Sequence, residues 1–97
     1  MTNFYVTYTA PNKEARDGFM EELKALKITE KCEAEDGCIR YRYFIPVDSD
    51  VEIWLWEQWE TRDAQKVHMT QPHLADIGKA KEKYNMEARI LIEDAAF

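Results

Sequence analysis

Aromatic and β-branched residues crowd three short stretches of the chain, and apolar residues recur at helical spacing between them. Phe4-Tyr5-Val6-Thr7-Tyr8-Thr9 has the composition of a strand. Pro11 then marks a turn or a first helical position, where its missing N–H costs nothing. Ala15, Phe19, Leu23 and Leu26 follow at spacings of four, four and three, which predicts an amphipathic helix. Gly18 weakens that helix by about 1 kcal/mol relative to alanine. A further helical turn is expected from Ile28 to Cys32, and Glu35-Asp36-Gly37 reads as a stop and turn, with Gly37 suited to a positive φ.

Cys38 to Ile45 is the next predicted strand. Alternation places Ile39, Tyr41, Tyr43 and Ile45 on one face and Arg40, Arg42 and Phe44 on the other. Pro46 to Asp50 is a hairpin loop leading into Ile53-Trp54-Leu55-Trp56-Glu57-Gln58-Trp59, which holds all 3 tryptophans of the chain. Ile53, Leu55, Glu57 and Trp59 share one face of this strand, and Trp54, Trp56 and Gln58 share the other. With odd positions facing odd, Arg42 is expected near Trp54 and Arg40 near Trp56, close enough for guanidinium groups to stack on indoles. Thr61 is a good N-cap for a short helix from Arg62 to His68. Pro72 begins another, with Leu74, Ile77, Gly78, Lys81 and Tyr84 as its inward stripe. Met86 to Glu93 is the last strand, with Met86, Ala88, Ile90 and Ile92 on one side, and Ala95-Ala96-Phe97 is a tail.

The order β, α, β, β, α, β is the ferredoxin-like split βαβ arrangement of the α+β class: a four-stranded antiparallel sheet with helices on one face. One domain is expected over residues 1–97. Helices on one face leave the other uncovered, yet both faces of the central hairpin are apolar. A patch of that size marks an interface, so two chains are expected to pack sheet against sheet as a homodimer.

Composition narrows the partners. A formal charge of −6 and a pI near 4.9 argue against a nucleic-acid binder. The chain has no long apolar segment and no basic-then-apolar start, so neither a membrane span nor a signal peptide is expected, and a cytoplasmic location follows. Cys32 and Cys38 lack flanking Cys or His at zinc spacing and read as a reduced pair rather than a disulfide or a metal site.

Glu35-x-Gly37-Cys38-x-x-Tyr41, then Trp56-Glu57-x-Trp59, then His68-x-x-x-Pro72-His73 resembles the antibiotic biosynthesis monooxygenase family over nearly the whole chain. The resemblance implies a dimeric α/β barrel with a pocket between helices and sheet in each subunit. The family includes cofactor-independent monooxygenases acting on quinols and polyketide-type aromatics, isomerases of small phosphorylated sugars, and members without an assigned activity. It therefore implies the fold more strongly than the reaction.

The candidate chemistry centres on His68. It is either a general base or hydrogen-bond donor at the pocket rim, or a cap on the carbonyls of its own helix. His73, in the first turn of the next helix, suits a structural or supporting role. The two histidines are not helix-spaced for zinc and lack an obvious third ligand, so no metal is expected. Glu57 either anchors Arg62 or another chain's cation, or serves as a pocket acid that orients a histidine or binds a substrate hydroxyl. Trp59 and Tyr41 either wall a planar ligand or fill the core. Arg40 and Arg42 suit an anionic ligand or salt bridges. Cys38 is a small buried strand residue unless a neighbour activates it.

The leading expectation is oxidation of a small quinol or polyketide-type aromatic by O2. His68 acts as base and the substrate as its own reductant, so flavin, haem and metal are unnecessary. The alternatives are a small-molecule isomerase or lyase in the same pocket, with Arg40 or Arg42 holding an anion, and a non-catalytic dimer that binds a small apolar ligand or a partner protein.

Overall fold

The structure is a computed structural model that describes residues 1–95; the last two residues of the expected tail, 96 and 97, lie outside the described residues. The elements run β1 (Thr2–Thr9), α1 (Lys13–Ala25), α2 (Ile28–Glu33), β2 (Cys38–Phe44), β3 (Glu52–Trp59), α3 (Arg62–His68), α4 (Pro72–Lys83) and β4 (Glu87–Asp94). The strands form one antiparallel sheet in the order β2-β3-β1-β4, which is the expected α+β ferredoxin-like arrangement.

Local chemistry explains the boundaries. Asn12, rather than Pro11, caps α1: its side chain accepts from the Ala15 N–H at 2.8 Å. Thr61 caps α3 in the same way, accepting from Ala64 at 3.1 Å. Pro72 stands in the first turn of α4, as expected. Gly18 has a packing reason beyond helix propensity, because a Cβ there would lie 2.6 Å from the Tyr84 ring. On α4 the stripe differs from expectation by one position. Ala80 is fully buried with Ile77, while Gly78 is exposed with open space around it.

The core fills the layer between sheet and helices. Phe4, Val6 and Tyr8 of β1 and Ile53, Leu55 and Trp59 of β3 meet Phe19, Leu23, Ile28 and Cys32 of the first two helices. The β3 alternation holds throughout, with Ile53, Leu55, Glu57 and Trp59 all buried on the helix side. The β2–β3 register departs from expectation by two residues: Arg42 faces Trp56 and Phe44 faces Trp54. Arg40 still reaches Trp56, its guanidinium carbon 4.6 Å from the ring centroid, as a diagonal neighbour. An irregularity between Cys38 and Arg40 takes Ile39 out of the expected alternation, so it is exposed while Tyr41 is buried.

Gly37 holds the turn into β2 at φ 80°, and an added Cβ would lie 2.6 Å from the Ala64 Cβ on α3. Its carbonyl also accepts from the Glu60 N–H at 2.8 Å, so the turn cannot shift freely. Gly37→Ala is expected to destabilise the chain by about 1–3 kcal/mol through backbone strain and overpacking. The urea midpoint should fall at unchanged m, whereas an unchanged midpoint would mean the turn relaxes without cost.

The sheet face away from the helices carries Tyr5, Phe44, Trp54, Trp56 and Leu91. Trp54 is 48% exposed and Leu91 68%. The helix layer also stops short of β4, so Ile90 and Ile92 are exposed although they face the helix side. Among the described residues, no helix is long and apolar enough to cross a membrane.

Candidate functional site

Three local structures aim side chains at one region beneath α3. The chain leaves α2 through a turn in which the Glu35 N–H donates to the Cys32 carbonyl and the Cys38 N–H donates to the Glu35 carbonyl, both at 3.1 Å. That turn points Glu35 toward α3 and α4. His68 is the last residue of α3, and the Gln71 N–H donates back to its carbonyl at 3.1 Å. This tight connection, with Pro72 opening α4, brings His73 to the same carboxylate. Glu57 comes from mid-β3, directly opposite Tyr41 of β2.

Glu35 is the hub. Its Oε2 lies 2.7 Å from His68 Nδ1 and 2.8 Å from His73 Nε2. His68 is 1% exposed, so it does not cap its own helix carbonyls in solvent. The carboxylate accepts the Nδ1 proton, which leaves His68 Nε2 with a lone pair. Nε2 is directed toward Glu57, 3.8 Å from its Oε1, a gap too long for a hydrogen bond. Burial holds the His68 imidazole below its ordinary pKa of 6.5, against the opposing pull of Glu35, so the ring is neutral at pH 7.

Glu57 does not anchor Arg62, which instead lies 3.7 Å from Asp94. It accepts from Trp59 Nε1 at 3.1 Å. Burial pushes its carboxyl up to about 7, with the Trp59 hydrogen bond pulling the other way. A buried acid poised there can hold or release a proton near neutrality.

Tyr41, Glu57 and His68 line a cavity of about 300 Å³ between the sheet and α3 and α4, with Val6, Leu74 and Ile77 among its apolar walls. Of the five residues read from the sequence as the site, these three share the cavity. Trp59 is fully buried against His68, ring centroids 4.6 Å apart, and acts on the cavity through Glu57. His73 acts through Glu35. Glu35 itself belongs to the site, although in sequence its place beside Asp36-Gly37 reads as part of a turn. Its place in the Glu-x-Gly-Cys pattern was the available signal, but a contact 33 residues away in sequence is not legible from spacing. The expectation of no metal rests on the lack of a third ligand beside the two histidines, and the fold brings two candidates to them, Cys32 and Glu35. Among the described residues, Cys38 has no activating neighbour. Burial and the nearby carboxylates of Glu35 and Glu33 push its thiol up to about 12.

Arg40 and Arg42 lie on the far sheet face with Trp56, away from the cavity. The cation on the cavity lining is Lys81.

Comparison with known proteins gives this geometry a context. A crystal structure from Deinococcus radiodurans that bears the name antibiotic biosynthesis monooxygenase superposes with a TM-score of 0.88, at 20% identity, over 100% of this chain and 94% of that one. SnoaB from Streptomyces nogalater, a cofactor-independent oxygenase, superposes with a TM-score of 0.79, at 16% identity, over 97% of this chain and 91% of that one. Identities this low establish the shared fold alone. In sequence, the uncharacterized protein YjcS of Bacillus subtilis is 38% identical over 60 residues, 62% of this chain; the match spans 55% of that protein's length. The profile of the antibiotic biosynthesis monooxygenase family matches residues 4–80, a span that holds the Glu35 hub, both histidines, Glu57 and most of the cavity lining. On that match, the chain belongs to the antibiotic biosynthesis monooxygenase family.

Proposed function

We propose that the chain is a cofactor-independent monooxygenase that oxidises a small quinol or polyketide-type aromatic with O2. One observation carries this reading: His68 Nδ1 is engaged by Glu35, and the free Nε2 faces a carboxyl poised near pH 7 at the wall of an apolar cavity. A phenolic hydroxyl entering the cavity loses its proton to His68 Nε2, and the imidazolium is held by Glu35. The resulting anion is electron-rich and passes electrons to O2. For a quinol with a free ring position, the substrate supplies all four electrons. One oxygen atom ends on the ring, which becomes a hydroxyquinone, and the other leaves as water. Glu57, when protonated, donates to oxygen atoms that gain charge during transfer. Tyr41 contacts the ring of the substrate, and Trp59 and His73 hold Glu57 and Glu35 in place.

Oxygen uptake with a panel of quinols, in chelator-treated buffer, tests the reading. The expected result is equal loss of quinol and O2, with one atom of isotopically labelled O2 in the product. A ligand that raises the melting temperature without being consumed, together with no uptake from any quinol, would instead favour a binding protein.

The same proposal includes a homodimer formed through the sheet faces. Its support is the apolar surface of Trp54, Phe44 and Leu91, which the chain's own helices cannot reach. Leu91→Asp is expected to raise the dimer dissociation constant about tenfold or more, because it buries a charge at the sheet contact. Sedimentation measures this directly. Leu91 is exposed in the single chain, so folding should be unaffected. A variant and parent that sediment alike would remove this face from the interface.

A further inference from the structure

We propose that Cys32, Glu35, His68 and His73 form a binding site for a single zinc ion. Each offers one ligating atom, and the four atoms lie within 4.8 Å of one another. They come from the last turn of α2, the turn after it, the end of α3 and the start of α4, so the site ties three helices together. The sequence carries a matching pattern once the fold is known. Cys32-x-x-Glu35 and His68-x4-His73 have the spacing of a C-x2-C…H-x3–5-H zinc site, with glutamate in place of the second cysteine. The interval between the two halves, residues 36–67, holds the β2–β3 hairpin and most of α3 and is longer than the roughly 12–15 residues of a zinc finger, so only the two local spacings match.

The donor set is one thiol sulfur, two imidazole nitrogens and one carboxylate oxygen. Borderline-soft zinc accepts that mixture in tetrahedral geometry, whereas calcium and magnesium require oxygen cages. To accept the ion, donor pairs now up to 4.8 Å apart would close by up to about 1–1.5 Å, and the shortest contacts would open. Two donor contacts now stand at 2.7 and 2.8 Å, and tetrahedral ligands at zinc bond lengths stand about 3.3–3.8 Å apart. The contacts to Glu35 would therefore open by about half an ångström as the ion replaces the hydrogen bonds. Glu35 lines an open surface groove of about 530 Å³ with Gly37, Ala64 and Val67, so one of the four donors is reached from solvent. Cys32 and His68 are buried.

Zinc on His68 Nδ1 would leave the ring's proton on Nε2, the atom that faces the cavity. The metal-loaded chain would therefore lack the base that the oxygenation needs. Zinc and turnover become competing uses of one imidazole.

The test uses the intact chain, stripped with chelator and titrated with Zn2+ against a chromophoric competitor, and separately with Co2+. The expected result is saturable binding of one ion per chain, with a sulfur-to-cobalt charge-transfer band. Cys32→Ser should abolish the band and weaken binding about 100-fold or more, and His73→Ala should weaken binding to a similar extent. Cys38→Ser should leave both unchanged. Circular dichroism checks that each variant is folded, and Glu35→Gln, at a partly exposed position, provides a second ligand variant should Cys32→Ser unfold. Absence of saturable binding by the intact chain, or a cobalt band that survives in Cys32→Ser, would overturn the site. These readouts do not use turnover, so they stand or fall apart from the oxygenase reading.

Discussion

His68→Ala is expected to lower kcat for quinol oxygenation about 10²–10⁴-fold, the range lost when a positioned general base is removed. The KM should change little, because the cavity walls that hold the ring are formed by other residues. The fold should survive, since Glu35 keeps its second partner His73 at 2.8 Å. Removing the imidazole also leaves a void beside the cavity, so free imidazole added to the buffer should restore part of the rate. A merely structural histidine would not produce that rescue. The pH profile provides a second check. Burial lowers the pKa of His68, so the acid limb of kcat/KM in the parent should lie below the ordinary histidine value of 6.5. The alanine variant should lose that limb. Turnover unchanged in His68→Ala would exclude it as the base and leave Glu57 as the cavity's remaining candidate.

The fold was legible because each strand and helix carries its own period. Alternation in Ile53 to Trp59 placed Glu57 and Trp59 together on the buried face, and the structure keeps them there with an indole N–H on the carboxyl. Family spacing found His68, His73 and Tyr41. Pairing across the fold was harder to see. The β2–β3 register is set by the loop between Phe44 and Glu52, whose geometry no period reveals, so the arginine–tryptophan pairing differs from expectation by two residues. Glu35 escaped for a related reason. Its turn chemistry, beside Gly37 at positive φ, accounts for it locally, while its contacts to His68 and His73 are made only after α3 folds back over the end of α2. The Cys32 thiol joined the histidines in the same way. It reads in sequence as the end of a short helical turn and one of a reduced cysteine pair, and only packing brings its sulfur near the imidazoles.

Glu57→Gln is expected to make the chain more stable at alkaline pH and no more stable in acid. Folding raises the Glu57 carboxyl from an ordinary 4.5 to about 7. Between those values the native state binds more protons than the unfolded chain, so stability falls as pH rises through the window. Above pH 7 the folded protein must hold an unwanted buried charge. At 1.36 kcal/mol for each tenfold change in proton affinity, that charge costs about 3 kcal/mol. Glutamine keeps the carbonyl that accepts from Trp59 Nε1 and nearly the same volume, but it cannot ionise. Urea unfolding of both proteins from pH 4 to 8.5 should therefore give curves that coincide near the acid end and diverge steadily up to about 3 kcal/mol above pH 7, at equal m. His68 titrates in both proteins, so its contribution largely cancels in the difference. A difference that stays flat across the range would mean that Glu57 ionises as freely folded as unfolded. In the parent, the same penalty keeps a proton on Glu57 near neutrality, where the proposed reaction needs a donor facing a developing oxyanion. The stability that glutamine restores above pH 7 thus measures how strongly the fold holds its acid ready.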